Sequence, residues 1–211
     1  MKSLIIQYLP MIVTFTGLQI IGLISPGPDF AITVRNSLLY SRKIGLFTAL
    51  GISCGIMVHV VYTILGLGVF IAKTPWLFTL FKYLGAAYLF YIGFKGLIAK
   101  KRIFSVNTIE PHNTLSSMSA FWLGFLTNAL NPKAMLFFVS LFTVFLYPKT
   151  PPVIMIIYGA IVFMTTLVWF VFVSLCLSHE TIRSLFGSVS HWVERITGVV
   201  LILLAFKLLV M

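Results

Sequence analysis

The sequence predicts an all-α, polytopic membrane protein, and three observations carry that expectation. Hydrophobic residues fill 60% of the 211 positions and charged residues only 9%, with a mean hydropathy of +1.07; a water-soluble domain of that makeup would expose large apolar patches. The apolar residues gather into segments of about 20 residues or more, the length that crosses a hydrocarbon core as a helix. Helix breakers and charges stand inside two of these segments: Ser25-Pro26-Gly27-Pro28-Asp29 in the first, and Asn128-Ala129-Leu130-Asn131-Pro132-Lys133 in the fourth.

Six spans are expected, over about 8–34, 44–72, 76–98, 118–146, 152–177 and 191–210. The first follows Lys2 as a signal peptide would, but no small-x-small cleavage site ends the run, so it reads as a retained helix. Pro26 and Pro28 around Gly27 interrupt it, since each Pro lacks a backbone N–H and crowds the preceding turn. Lys73-Thr74-Pro75 turns the chain between spans two and three. Pro132 interrupts span four, and Pro148-Lys149-Thr150-Pro151-Pro152 turns the chain before span five. No stretch is polar enough for a separate soluble module, so residues 1–211 read as one transporter domain.

Orientation follows from the bases. Arg35, Arg42, Lys43, Lys95, Lys100, Lys101, Arg102 and Arg183 fall on one side, against Lys2, Lys73, Lys82, Lys149 and Lys207 on the other. The positive-inside rule puts the richer side in the cytoplasm and both termini outside, unless the first or third span fails to cross. Gly22-Leu23-Ile24-Ser25 leading to Pro28-Asp29 resembles Gly124-Phe125-Leu126-Thr127 leading to Pro132-Lys133, and Tyr91–Lys95 resembles Leu203–Lys207. These point to two three-helix repeats, about 8–98 and 118–210, joined by a cytoplasmic linker over about 99–117. An odd number of spans per half inverts the second, so helices 1 and 4 become the paired interrupted helices of an inverted-repeat transporter, with its site at the repeat interface.

Asp29 is the candidate for substrate binding or proton coupling, because an acid inside a span is costly and the three glutamates, Glu110, Glu180 and Glu194, are expected in loops or at span ends. N-capping of a half-helix starting at Phe30 is its structural alternative. Lys133 is the counter-charge expected across the pseudo-symmetry axis, a lysine snorkelling to an interface being the alternative. Asn128 and Asn131, three apart, offer amides for freed backbone or for substrate. Pro26, Gly27, Pro28 and Pro132 shape the breaks. His59 is a proton-relay candidate or a hydrogen-bonded packing residue, on a face with Gly51, Gly55, Tyr62 and Gly66.

The Ser25–Phe30 motif, followed by Arg35-Asn36-Ser37, Gly45-Leu46, Gly51-Ile52, Gly85-Ala86-Ala87-Tyr88-Leu89 and Gly124–Ala134, resembles the lysine exporter/homoserine-threonine resistance family of amino-acid exporters along essentially the whole chain. Thr166–Phe170 and the segment from His191 to Lys207 look closest to its threonine-export branch. The resemblance implies efflux of amino acids across the cell (inner) membrane, coupled to protons by antiport. Small neutral substrates such as threonine or homoserine are expected, because a basic side chain would need a second acid at depth. Hydroxyl donors are sought at Asn128, Asn131 and Tyr62.

Other classes fit less well. No H-E-x-x-H, paired catalytic Asp, G-x-S-x-G or P-loop is present, so an enzyme or ATPase is not expected. A channel or metal transporter would want rings of acids or several His and Cys ligands, whereas Cys54 and Cys176 stand alone. An exporter of basic amino acids or other small metabolites stays open. No metal or cofactor is expected. The net charge of +11 lies between spans, where anionic lipid is its partner rather than nucleic acid. Gly51-x-x-x-Gly55 leaves a homo-oligomer open.

Overall fold

The computed structural model describes residues 2–73, 75–100, 115–146, 150–176 and 180–210. Thr74, Lys149 and most of the expected linker, with Glu110, Lys101 and Arg102, lie outside the described residues. All the regular structure within them is helical: α1 Lys2–Ile24, α2 Pro28–Leu39, α3 Arg42–Lys73, α4 Pro75–Leu97, α5 Ser117–Ala129, α6 Pro132–Phe145, α7 Pro152–Cys176 and α8 Glu180–Val210.

Both interruptions stand where the breakers are. Gly27, with extended φ of −153°, precedes α2, whose first residue is Pro28. Leu130 and Asn131 separate α5 from α6, which starts at Pro132, and the chain bends there by 56°. A Pro at the first helical position loses only an N–H that has no intrahelical partner anyway. Three helices among the described residues are long and apolar enough to cross a membrane, Leu4–Ile24, Arg42–Gly66 and Pro152–Cys176, and α5 with α6 makes a fourth if the bent pair is one span.

Three boundaries differ from expectation. Helix α1 begins at Lys2, not near 8. Helix α2 runs on to Leu39, and Ser41 then starts α3, its hydroxyl accepting from the Ile44 N–H at 3.2 Å. Helix α8 begins at Glu180, not near 191. Hydropathy marks where a helix meets lipid, whereas i→i−4 hydrogen bonds continue through polar residues such as Glu180 and Arg183.

Small residues set the closest packing. A Cβ on Gly51 or Gly124 would overlap the carbonyl of Phe121 or Thr48, and one on Gly55 would stand 2.6 Å from the Phe125 carbonyl, so α3 and α5 meet nearly backbone to backbone. Gly93 and Gly198 bring α4 and α8 together in the same way: a Cβ on Gly93 would lie 2.7 Å from the Gly198 carbonyl oxygen. The Gly51-x-x-x-Gly55 motif is thus spent inside the chain rather than on a dimer seam. Between these crossings an aromatic core packs Phe15 of α1 on Tyr158 of α7 and Phe142 of α6, with centroids 4.3 and 5.3 Å apart.

Candidate functional site

The two breaks face each other. Asp29, in the first turn of α2, accepts through Oδ2 from the amides of Asn128 at 3.0 Å and Asn131 at 3.1 Å. Its position suits an acid, because the N-terminal end of a helix carries partial positive charge. It is not the N-cap that the sequence left open as its structural alternative: Gly27 holds that position, with no side-chain cap bond. Capping falls to Asn131, whose Oδ1 accepts from the Lys133 N–H at 3.0 Å. Asn128 and Asn131 stand on either side of the second break, and they converge because Leu130 turns the chain between them.

Lys133 points toward the first break rather than to an interface. Its Nζ donates to Ser25 Oγ at 3.0 Å and approaches the Pro26 carbonyl at 3.5 Å, close enough to Asp29 for the two charges to act on each other. Asp29 Oδ1 and Asn128 Oδ1 are buried acceptors without a hydrogen-bond partner among the described residues. Buried polar atoms are nearly always paired, so two unmatched acceptors at one place ask for a functional reason.

A cavity of about 70 Å³ opens at this junction. Asp29, Lys133, Asn128, Asn131, Ser25 and Gly27 line its polar end; Leu23, Phe30, Ile56, Phe137, Phe138 and Phe170 form much of the rest. One acid and one base are thus its charged wall among the described residues. Pro26, Pro28 and Pro132 fix the breaks without lining it.

His59 and Tyr62 do not line the cavity. His59 is 1% exposed, with Nε2 at 2.8 Å from the Asn128 carbonyl and Nδ1 at 3.0 Å from the Tyr62 hydroxyl. The carbonyl only accepts, so Nε2 carries a proton and gives the Asn128 carbonyl a second bond beside the one from the Asn131 N–H at 2.8 Å. Tyr62 is 36% exposed. His59 is thus held at both ring nitrogens, by the Asn128 carbonyl and the Tyr62 hydroxyl, away from the cavity wall.

Glu194 departs from its expected place at a span end. It is inside α8 and only 7% exposed, yet it is not among the cavity-lining residues. Gln19, Ser25 and Thr197 line the cavity and were not singled out as site residues, and Tyr88, for which the sequence leaves cavity lining or packing open, lines it too. Gln19 carried a signal: it follows Phe15 and precedes Gly22 on one face of α1, a lone amide on a buried apolar stripe.

The family model described as "LysE type translocator" matches residues 20–211, a stretch that contains both breaks and every charged residue of the cavity. The chain belongs to this translocator family. The translocator is 31% identical over 191 residues to a threonine efflux protein of Escherichia coli strain K12, covering 90% of this chain and 93% of the relative. It is 31% identical over 186 residues to a threonine efflux protein of Salmonella typhi, covering 88% and 90%. It is 34% identical over 187 residues to an uncharacterised membrane protein, YrhP, of Bacillus subtilis strain 168, covering 85% and 89%. No solved structure matches it. With apolar helices of spanning length, the translocator is a multi-pass membrane protein and a transporter rather than an enzyme.

Proposed function

We propose that this translocator exports small neutral amino acids, threonine or homoserine in size, from the cytoplasm in exchange for protons. The observation that carries the reading is the cavity at the two breaks, walled by one carboxylate and one ammonium. A zwitterion has the matching pair: its ammonium suits the Asp29 carboxylate with the unmatched Asn128 oxygen, and its carboxylate suits Lys133. A basic substrate would bring a further cation to a wall without a second acid, at a cost of several kcal/mol. The names of the threonine efflux relatives agree with this substrate size. For coupling, Asp29 is the group that would take a proton when the substrate ammonium leaves, so that one carboxylate serves both cargoes in turn.

Six spans as two inverted repeats are part of the same reading. At 23 and 31 residues, α4 and α8 are about 35 and 46 Å long, enough for a 30 Å core. Exchanging α1–α4 with α5–α8 in order maps the α1–α7 contact onto α5–α3, α2–α7 onto α6–α3, and α1–α6 onto α5–α2, and all six contacts are present. The inner membrane is the location proposed, with both termini outside.

Counterflow in proteoliposomes tests the function. Threonine and homoserine should exchange faster than lysine, and an imposed pH gradient should drive net movement. Lysine exchanged as fast as threonine overturns the charge reasoning; indifference to the pH gradient overturns antiport; no exchange of any amino acid overturns the whole reading.

A further inference from the structure

We infer that Gln19 is the residue that reads the substrate side chain, selecting a hydroxyl over an apolar group of the same size. The inference rests on the amino-acid export reading and deepens it. Gln19 lines the cavity yet is only 1% exposed, so its amide is out of bulk solvent and beside the space a substrate would fill. Among the described residues its one hydrogen-bond partner is Thr165 of α7, whose hydroxyl lies 2.9 Å from Gln19 Oε1 and 2.6 Å from the Ile161 carbonyl.

That arrangement leaves something over. A hydroxyl has one proton, so Thr165 either gives it to Gln19 or gives it to Ile161 and accepts from the Gln19 amide. Whichever end of Gln19 faces Thr165, the other end, an N–H2 or a C=O, remains for the cavity. A substrate hydroxyl pairs with both, because it donates and accepts; a methyl pairs with neither. Thr197 of α8, also in the wall, donates its hydroxyl to the Ile21 carbonyl at 3.3 Å and adds a second polar side chain to the lining.

The donors expected to do this reading are engaged elsewhere. The amides of Asn128 and Asn131 turn onto Asp29, and the Tyr62 hydroxyl holds His59 outside the cavity wall.

The spacing fits. Gln19 stands six residues before Ser25, about 9 Å along the chain axis. A contact of about 2.8 Å from Lys133 to a carboxylate oxygen, about 3 Å across the substrate to its hydroxyl, and about 2.9 Å to Gln19 add to the same length. Leu23 and Phe137 supply apolar wall, and Tyr88 and Thr197 bring the other hydroxyl-bearing side chains of this lining apart from Ser25.

Threonine and valine, identical in shape but for hydroxyl against methyl, are the test pair in proteoliposome counterflow. The native protein should favour threonine by about tenfold in kcat/KM, the worth of one hydrogen bond. Gln19→Leu should bring the ratio near one by raising KM for threonine while leaving valine unchanged, and Gln19→Glu should keep the preference. A Gln19→Leu protein with the native ratio, or with equal losses for both substrates, overturns the assignment. Should Gln19→Leu fail to fold, the native protein decides alone: equal handling of the pair overturns the inference. Failure of the export reading shows differently, as absence of counterflow with either substrate.

Discussion

Replacing Asp29 by Asn separates what the carboxylate does for the fold from what it does for transport. Two amide donors, at 3.0 and 3.1 Å, converge on Oδ2. An Asn carbonyl oxygen has two lone pairs and can receive both, so the contacts survive as neutral bonds. Each falls from the charge-assisted range of about 1.5–3 kcal/mol toward about 1 kcal/mol, a loss on the order of 1–4 kcal/mol in all, offset in part because no ion is then buried. The other end of the new amide then places an N–H2 where the unmatched Oδ1 stood. A substrate ammonium meets a donor instead of an acceptor. Losing one charge-assisted bond of about 1.5–3 kcal/mol weakens binding by roughly 10- to 150-fold. Thermal unfolding of purified protein should therefore move by a few degrees at most, while counterflow of threonine collapses and no longer responds to a pH gradient. Native counterflow kinetics in a folded Asp29→Asn protein would refute the reasoning and leave Asp29 as a structural clasp between the two breaks.

Further outcomes follow from the same geometry. If Asp29 and Lys133 balance each other, Asp29→Asn with Lys133→Ala should be more stable than Lys133→Ala alone, because the double variant leaves no orphan ion; additive losses in a thermal-melt cycle contradict the balance. Gly93→Ala should cost about 1–3 kcal/mol, since its methyl falls 2.7 Å from the Gly198 carbonyl oxygen. Gly17→Ala, with nothing within 4 Å of the added carbon, should be neutral or gain up to about 1 kcal/mol, and equal melting of the two variants contradicts the tight crossing of α4 and α8. Single cysteines near Lys100 and Arg183, in a protein with Cys54 and Cys176 replaced, should be shielded from an impermeant thiol reagent applied outside, whereas ones near Lys149 and after Met211 react; outside labelling at 100 overturns the orientation.

The breaks were legible because their cause is local. Pro26, Gly27, Pro28, Asn131 and Pro132 act on backbone within a turn of themselves, so their sequence positions are their structural positions. What converges at the breaks was legible only as a set of residue types. Asp29, Asn128, Asn131 and Lys133 were the right polar groups, but their division of labour depends on which helix faces which. Asn131 caps α6 and Asp29 caps nothing because the carboxylate is drawn to amides about a hundred positions away, a contact with no local signature. Gln19 was passed over for a related reason: one amide on an apolar helix gains meaning only when a cavity opens in front of it. Glu194 was placed at an edge because hydropathy falls there, although α8 continues through it and buries it.

Asn131 holds two posts with one side chain. Its oxygen starts α6 and its nitrogen holds Asp29. The residue works as a rigid yoke: a planar amide cannot turn one end without moving the other. Any cargo that draws the Asp29 carboxylate aside, whether proton or ammonium, therefore tugs on the first turn of α6 and on the 56° bend behind it. Asp29 and the start of α6 are thereby joined through one planar side chain, a short mechanical linkage between the first break and the half-helix beyond the second.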